Sequence, residues 1–288
     1  MSIRPYYVCG PTASGKSARA IALAKEWNGE IVNADAFQLY RGLETITAAP
    51  SPGEQAQVPH HLYSVLDPSD TCDAQHYCSL AQPVIEAIIA RGKIPIVVGG
   101  SGLYLKFLTH GPSPLPQGNA FIRAELDGIP LDDLIAELQS IDPIEAAQIN
   151  LKNRRYVSRA VEIFRLSGIP ASLQRRNWEH VSAAKQEQLQ GTVLQLPREH
   201  LHQRIAERSM RILQNGAIDE VQAHREQLSE TCRKAIGVPQ ILELLDGTID
   251  QSTCLQKIIE ATRQYAKRQE TWFRREAWLT PFIVNPFA

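Results

Sequence analysis

Short apolar runs separated by amphipathic stretches dominate both ends of the chain. The runs are continuous and rich in β-branched or aromatic residues, as expected of strands buried on both faces of a parallel sheet. They lie at 6–9, 29–34, 94–98 and 192–196. The stretches between and after them repeat apolar residues every three or four positions, which predicts helices. The clearest of these cover 18–27, about 78–91, a segment that opens at 197–198, and about 251–275. The alternation predicts an α/β fold in which helices flank a parallel sheet.

A different pattern occupies the middle of the chain. Prolines at 112, 114 and 116 predict a linker, and helical patterns without a strand continue to about residue 187. We therefore predict two domains, a core formed by 1–112 with 190–288 and a mainly helical insertion over 113–189. Charge is unevenly distributed in the insertion. Seven acidic and no basic residues lie in 125–145, and seven basic residues face one acidic residue in 152–176.

Composition excludes several classes of protein. At 288 residues and 43% hydrophobic content, the chain can bury a full core. A net charge of −1 gives no overall attraction to nucleic acid, so any such contact must come from local patches. No apolar run approaches the roughly 20 residues of a membrane span, and the N-terminus lacks a signal-peptide pattern. The five cysteines form no C-x-x-C pair, which favours free thiols and a cytoplasmic location.

Residues 10–17 carry the strongest chemical signal. The segment Gly10-Pro11-Thr12-Ala13-Ser14-Gly15-Lys16-Ser17 reads G-x-x-x-x-G-K-[ST] between a predicted strand and a predicted helix. In such a loop, backbone N–H groups and the positive end of the helix face a phosphate. Lys16 would add a charge, and the Ser17 hydroxyl suits Mg²⁺. The motif predicts a phosphate or diphosphate site but leaves the reaction open.

Other polar side chains follow the predicted strands. Asp35 comes after the strand at 29–34, and Ser101 follows the strand at 94–98. Because the carboxyl ends of parallel strands meet at one edge of a sheet, we expect both beside the phosphate loop. Each could instead serve only as a helix N-cap. On the helix that opens at 197–198, three arginines spaced three to four residues apart could direct a guanidinium at the loop; they are Arg204, Arg208 and Arg211.

Two helices carry rows of basic residues. In the insertion, Lys152, Arg155 and Arg159 share a face, beside an apolar stripe at helical spacing. In the last long helix, Arg263, Lys267 and Arg274 share a face and aromatic residues lie among them. Either row could be an ordinary solvated surface. Either could also bind RNA, through phosphate contacts and stacking of unpaired bases.

Taken together, the motifs resemble those of the tRNA dimethylallyltransferases. The phosphate loop, Asp35 to Gly42 and Thr47 to Pro50 are similar to the family's P-loop, D-S-x-Q-x-Y-r-G and T-A-K-P segments. Gly99 to Tyr104 resembles G-G-T-G-L-Y. Two further blocks resemble R-A-L-E and T-R-Q-Y-A-K-R-Q-x-T-W-F-R; they are 159–162 and 262–274. The matching blocks span nearly the whole chain, and the last block and the Gly99 block are the most specific.

This resemblance implies a fold, an activity and partners. It implies a P-loop NTPase-like core with a tRNA-facing insertion. The implied reaction moves a dimethylallyl group from dimethylallyl diphosphate to N6 of the adenosine 3′ to the anticodon, in tRNAs that read codons beginning with U. Mg²⁺ is the implied cofactor, with Ser17 as its protein ligand. The implied partners are the anticodon stem-loop of tRNA and the prenyl donor, and the implied state is a monomer without a membrane.

The resemblance also assigns residues. Lys16, Ser17 and the loop amides would hold the diphosphate, with Arg208 closing from the other side. Asp35 would be the general base, and Ser101, where the family has Thr, would orient the amine. The implied tRNA contacts are Asp35, Ala36, Phe37, Gln38, Ser101, Arg123, Arg155, Tyr156, Val157, Ser158, Arg159, Arg263, Lys267 and Arg274.

Several positions depart from the family pattern. Ala36 stands where the family has Ser, Ile46 where it has Gly, Ala49 where it has Lys, and Tyr156 where it has Arg. The family's G-Y-K-E is Gly237-Val238-Pro239-Gln240 here. The diphosphate residues are intact, so most departures fall on loop or tRNA-facing positions.

Three alternative functions remain open at this point. One is an adenylate isopentenyltransferase acting on free nucleotide, against which the basic insertion and the terminal basic helix argue. Another is a small-molecule kinase, which should carry a lid arginine pair that nothing here singles out. The third is a diverged tRNA-binding paralogue with weak activity, favoured only by the departures from the pattern.

Overall fold

The computed structural model describes residues 3–176 and 188–285. The chain divides into two compact units, one formed by 1–108 with 188–288 and the other by 109–187. None of the described helices is both long and apolar enough to cross a membrane.

Six parallel strands form the sheet of the first unit. They are β1 Tyr6–Cys9, β2 Gly29–Asn33, β3 His60–His61, β4 Ile94–Gly99, β5 Gln190–Gln195 and β6 Leu279–Ile283. Their spatial order is β3-β2-β4-β1-β5-β6, and every pairing is parallel. The chain passes from β1 to one side of the sheet and, after β4, crosses to β5 on the other. Loops at such a reversal leave a crevice at the carboxyl ends of the strands.

Thirteen α-helices have bounds within the described residues. In chain order they are α1 Lys16–Glu26, α2 Glu44–Thr47, α3 Pro52–Gln55, α4 Ala74–Ala90, α5 Gly102–His110, α6 Ala120–Asp127, α7 Leu131–Ile141, α8 Pro143–Gln148, α9 Arg154–Ser167, α10 Arg198–Gln214, α11 Ala217–His224, α12 Val238–Leu245 and α13 Gln251–Phe273. Residues 171–176 are also helical.

Alternating side chains of the strands bury both faces of the sheet. On β1, Tyr7 and Cys9 belong to one apolar cluster, whereas Val8 belongs to the cluster on the opposite face. This is the two-residue period of a strand, with helices covering each side. The predicted parallel α/β fold is therefore confirmed.

Two strands were not predicted. β3 is only two residues long and pairs with β2. β6 contains Pro281, which lacks a backbone donor, and it lies at the edge of the sheet beside β5. Both are short outer strands whose pairing depends on partners distant in sequence. The helix predicted from about residue 78 begins earlier, at Ala74, where the Asp73 carboxylate caps it.

The second unit has its own core of helices. Side chains from α6, α7 and α9 meet there, among them Leu126, Leu134, Leu138, Val157 and Val161. Much of the uneven charge pairs within the unit, because Arg165 contacts Glu125 and Glu137, and Arg175 contacts Glu145. The acidic and basic stretches therefore hold these helices together, as well as facing solvent.

Candidate active site

The phosphate loop lies at the carboxyl end of β1 and leads directly into α1. Gly15 precedes the helix in the left-handed conformation, at φ 93°, which favours glycine. The Lys16 ammonium donates to the Pro11 carbonyl at 2.7 Å, so it folds back along the loop. The Ser14 hydroxyl is fully buried and has no hydrogen-bond partner among the described residues. A buried hydroxyl without a partner is what a loop shaped around a bound anion presents.

Thr12 is held in place by a residue from the far end of the chain. Its backbone N–H donates to Gln269 Oε1 at 2.8 Å, and Gln269 Nε2 donates to the Gly100 carbonyl at 3.0 Å. Gln269 is 4% exposed, so both ends of its amide are used in a buried setting. The Thr12 amide is therefore engaged within the protein, although it belongs to the loop whose amides are expected to hold the diphosphate. Sequence analysis had no signal for this bond.

The carboxyl ends of β2 and β4 bring Asp35 and Ser101 together. Asn33 Oδ1 accepts from the Asp35 N–H at 2.8 Å, and Asp35 Oδ1 accepts from the Phe37 N–H at 3.0 Å. Ser101 Oγ accepts from the Ala36 N–H at 2.9 Å. The strands approach so closely that a Cβ on Gly99 would collide with the Ala34 carbonyl. The predicted juxtaposition of Asp35 and Ser101 is present, since Ser101 Oγ bonds the residue after Asp35, and Asp35 also accepts from an N–H of its own turn.

Arg208 crosses from α10 to the phosphate loop. Its Nη1 donates to the Thr12 hydroxyl at 3.1 Å and its Nη2 donates to the Thr47 carbonyl at 3.2 Å. These two bonds use the forked geometry of a guanidinium. Burial lowers the pKa of Arg208, the Asp35 carboxylate opposes that shift, and Arg211 adds to it. The guanidinium still remains charged at physiological pH.

Lys16 experiences the same crowding of positive charge. Burial lowers its pKa to about 8; the Asp35 carboxylate opposes the shift, and Arg208 strengthens it. Two cations near one another in a partly dry site favour an anion between them, because a bound anion lowers the free energy of both charged forms. Lys16, Arg208 and Asp35 thus form one electrostatic group.

A charged cleft of about 570 Å³ lies over the phosphate loop. Arg204, Arg208 and Arg211 line it on the side of α10, and Lys16 and Ser17 line it on the side of the loop. The Arg204 guanidinium is 3.7 Å from the position that a Cβ of Gly15 would occupy. The spacing of three to four residues noted in the sequence therefore does place three arginines on one wall. The cleft suits a small polyanion such as a diphosphate.

A second, mostly apolar cavity adjoins the charged cleft. The two share Thr12, Asp35 and Arg208 as lining residues. The remaining wall of the cavity is largely hydrocarbon; it includes Phe37, Ile46, Ile212, Ala235, Ile236 and Ile258. Tyr265 also lines it, and burial raises the pKa of that phenol, while Ser101 and Gln269 partly oppose the shift. A charged compartment and an apolar one therefore meet at the reactive side chains.

The other residues predicted near the site divide into two groups. Ala36 and Phe37 follow Asp35 directly, and the Gln38 amide donates to the carbonyls of Thr47 and Ala48 at 3.1 and 2.9 Å. The Gln38 amide and the Arg208 guanidinium therefore both donate to the Thr47 carbonyl.

The predicted basic residues of the last helix do not line either cavity. They are exposed on α13 or immediately after it; they are Arg263, Lys267 and Arg274.

The candidate residues of the second unit are used in more than one way. Glu162 is 1% exposed and forms ion pairs with Arg123 at 2.9 Å and with Arg159 at 2.6 Å. The pair with Arg123 thus joins α6 to α9, whereas the pair with Arg159 lies within α9. Arg155 and Tyr156 are exposed, and Tyr156 is 53% accessible. Both side chains are therefore accessible to a binding partner.

One prediction in this group is wrong. Val157 is fully buried in the core of the second unit, so its side chain cannot contact tRNA. The resemblance implied Val157 as a tRNA contact, yet the helical period turns it toward the core. Ser158 is half-buried, and its hydroxyl has no partner among the described residues.

Two family models match the chain. Residues 38–276 match the one described as IPP transferase, and residues 3–65 match the one described as isopentenyl transferase. Two tRNA dimethylallyltransferases are similar along nearly the full length. That of Akkermansia muciniphila is 42% identical over 280 residues, which cover 97% of this chain and 93% of that protein. That of Halorhodospira halophila is 41% identical over 276 residues, which cover 93% and 88%.

Two solved structures share the fold. One is the full-length tRNA isopentenylpyrophosphate transferase of Bacillus halodurans, with a TM-score of 0.70 and 32% identity, over 97% of this chain and 89% of that one. The other is a eukaryotic dimethylallyltransferase acting on tRNA, with a TM-score of 0.79 and 26% identity, over 99% and 74%. The similarity therefore extends along nearly all of the chain described here.

Proposed function

The chain belongs to the IPP transferase family, and from this membership together with the site geometry we propose that it transfers a dimethylallyl group from dimethylallyl diphosphate to an adenosine of tRNA. The enzyme is a prenyl-transferring transferase. One observation carries the choice of donor. The charged cleft and the apolar cavity meet at Thr12, Asp35 and Arg208, and a prenyl diphosphate is itself a polyanion joined to a hydrocarbon.

The charged cleft would stabilise the leaving group. When the C1–O bond of the donor breaks, its electron pair goes to the diphosphate oxygen and positive charge develops on the allylic carbon. Lys16 from the loop and Arg208 from α10 both line the cleft in which that oxygen would gain charge. Fixed cations at such a position stabilise the transition state more than the ground state.

Asp35 would take the proton from the acceptor. The exocyclic amine N6 attacks C1, the new N6–C1 bond forms, and the surplus proton passes to the carboxylate. Only Asp35 Oδ1 is engaged by the Phe37 amide in the described structure, which leaves the second oxygen for the amine. Ser101 Oγ already accepts from the Ala36 N–H, so its own proton can be donated toward the acceptor or Tyr265. An adenine inside a structured tRNA loop must leave its stack to reach this position.

Mg²⁺ fits the cleft in a limited way. The Ser17 hydroxyl lines the cleft beside Lys16, and magnesium prefers oxygen ligands while keeping several waters. No group of three or more His, Cys, Asp or Glu side chains among the described residues could hold a metal by itself. We therefore expect Ser17 and the diphosphate oxygens to share the ion, which would neutralise part of the leaving group's charge.

The tRNA would reach the site over exposed basic and aromatic residues. On α13 these are Arg263 and Lys267, with Arg274 just after the helix, and on α9 they are Arg155 and Tyr156. Cations that contact phosphates provide affinity without reading sequence. We expect the adenosine 3′ to the anticodon, in tRNAs that read codons beginning with U, to be the target. We also expect the enzyme to act as a monomer.

A transfer assay tests this function. Purified protein is incubated with Mg²⁺, isotope-labelled dimethylallyl diphosphate and unmodified tRNA, and label in tRNA is measured before and after digestion to nucleosides. The proposal predicts label on N6 of one adenosine beside the anticodon. Label on free adenosine monophosphate but not on tRNA would reassign the acceptor. No transfer to either, with hydrolysis of ATP instead, would refute the proposed function.

A further inference from the structure

We propose that Ile46 sets the size of the prenyl group that this enzyme accepts. The proposal rests on the proposed function, since it concerns the donor of that reaction. It concerns the apolar cavity that adjoins Asp35 and Arg208, and it assigns a specificity-determining role to a residue on the short helix α2.

Ile46 forms part of the hydrocarbon wall of that cavity. Its side chain is 4% exposed and faces the space that Phe37, Ile212 and Ile258 also line. The next residue, Thr47, holds the Arg208 guanidinium through its carbonyl at 3.2 Å. Ile46 therefore directly precedes the residue whose carbonyl holds the Arg208 guanidinium, the group expected to bind the diphosphate. A hydrocarbon attached to that diphosphate would enter the cavity alongside Ile46.

The backbone around Ile46 is fixed. The Glu220 carboxylate accepts from the Thr45 N–H at 2.8 Å and from the Ile46 N–H at 2.9 Å. One carboxylate on α11 thus binds two N–H groups in the first turn of α2. A charge-assisted pair of this kind holds the turn in one position.

The side chain of Ile46 is fixed as well. Its Cδ1 packs against Gly237, where a Cβ would collide with it. Gly237 has a φ of 101°, so a side chain there would be strained in addition to colliding. Ile258 lies behind the same contact, because its Cδ1 is 3.9 Å from the Cβ position of Gly237. A β-branched side chain has few rotamers, which limits how far Ile46 can turn away from this contact.

A wall that cannot move discriminates by size. One methylene too many in a close-fitting apolar pocket changes kcat/KM by about 10- to 200-fold. The dimethylallyl group has five carbons and the geranyl group has ten, with the same allylic diphosphate and therefore the same bond changes at C1. We expect the cavity to admit the first group and to reject the second, with Ile46 as the part of the wall that causes the rejection.

The experiment compares dimethylallyl and geranyl diphosphates as donors to the same tRNA. Wild-type enzyme should favour the five-carbon donor by at least about a hundredfold in kcat/KM. Ile46→Ala should raise the ratio of geranyl to dimethylallyl transfer by at least about tenfold. Ile46→Val, which removes the Cδ1 methyl, should move the ratio in the same direction by a smaller amount. Ile46→Val also tests the proposal if Ile46→Ala folds poorly.

Ile241→Ala is the matched control. Ile241 is fully buried in the same apolar cluster but does not line the cavity. It should lower thermal stability much as Ile46→Ala does and leave the donor ratio unchanged. Equal donor ratios in wild type, Ile46→Ala and Ile46→Val would overturn the inference. Transfer of the dimethylallyl group by the wild type would still support the proposed function in that case. A wild type that used both donors equally well would also overturn it. A wild type that transferred neither would remove the proposed function itself.

Discussion

The Thr12 amide and the Gln269 side chain form a 2.8 Å hydrogen bond between the first loop and the last helix of the chain. Gln269 also donates to the Gly100 carbonyl, immediately before Ser101. The buried side-chain amide of Gln269 therefore bonds both the phosphate loop and the residue before Ser101, and so fixes the distance between them. Since Arg208 donates to the Thr12 hydroxyl, the position of Thr12 also determines where Arg208 rests.

Gln269→Ala should weaken donor binding and also destabilise the fold. It leaves the Thr12 amide and the Gly100 carbonyl unpaired, at about 1–3 kcal/mol for each buried group. We expect KM for the prenyl donor to rise about tenfold, because the loop loses its fixed position. Gln264→Ala, an exposed residue of the same helix, is the control and should leave KM unchanged. If Gln269→Ala lowered thermal stability but left the donor KM at the wild-type value, Gln269 would have only a structural role.

Arg208→Lys should reduce activity although the positive charge is kept. The two bonds to Thr12 and to the Thr47 carbonyl need donors on two separate nitrogens, which an ammonium cannot provide in that geometry. Loss of one electrostatic contact to a developing anion typically lowers kcat by about 10²–10³. Steady-state kinetics with saturating tRNA would measure this. Arg198→Lys, exposed at the start of α10, should show wild-type rates; equal losses in both variants would contradict the assignment.

Donor affinity should fall as the pH rises through about 8. Lys16 has a pKa of about 8, and only its protonated form attracts the diphosphate. Binding an anion favours that form, so above this pH binding must take up a proton and affinity should drop by up to tenfold per pH unit. Calorimetric titration with inorganic diphosphate in buffers of differing ionisation enthalpy would detect the uptake. In Lys16→Arg the decline near pH 8 should vanish; its persistence would assign the titration to another group.

Glu30 should stabilise the fold near β2 except in acid. Burial would raise the pKa of Glu30, but hydrogen bonds from Arg91, His61 and Lys93 outweigh burial and lower it from 4.5 to about 2. A carboxylate whose folded pKa is depressed contributes stability that is present above pH 4.5 and is lost as the pH falls toward 2. Because the three partners are partly exposed, we expect Glu30→Gln to cost about 2 kcal/mol at neutral pH.

Urea denaturation of both proteins at several pH values would check this prediction. The difference in unfolding free energy should shrink steadily below pH 4.5, the ordinary value for that carboxyl. A difference that stayed constant down to the lowest accessible pH would mean that packing, and not charge, accounts for the effect of the substitution.

Local sequence was sufficient for the parts of the site that follow strands. The phosphate loop, Asp35 and Ser101 were predicted because each follows a strand, and parallel strands end at one edge. The helical repeat of three to four residues predicted that Arg204, Arg208 and Arg211 share one side, and the family resemblance singled out Arg208. In these cases the regular geometry of one strand or helix is enough to predict where the side chain lies.

Contacts between distant segments could not be predicted in this way. Gln269 lies among basic and aromatic residues that suggest an RNA surface, yet it points inward to Thr12. Arg123 and Arg159 carry the charge of a nucleic-acid contact, but a buried Glu162 pairs with both. Sequence alone does not reveal which side of a helix meets another helix. That missing information also explains why β3 and β6 were overlooked. Val157 differs, because it lies on an apolar stripe that the helical spacing of the sequence already indicates.

The central claim is that Asp35 accepts the proton of the attacking amine beside a diphosphate held by the loop. It is tested most directly by single-turnover transfer with Asp35→Asn, at saturating labelled dimethylallyl diphosphate and tRNA. Asparagine can still accept from the Phe37 amide, so the local turn should remain intact. We predict that the rate of transfer falls at least about 10²-fold while inorganic diphosphate still binds. A transfer rate equal to that of the wild type would contradict the account.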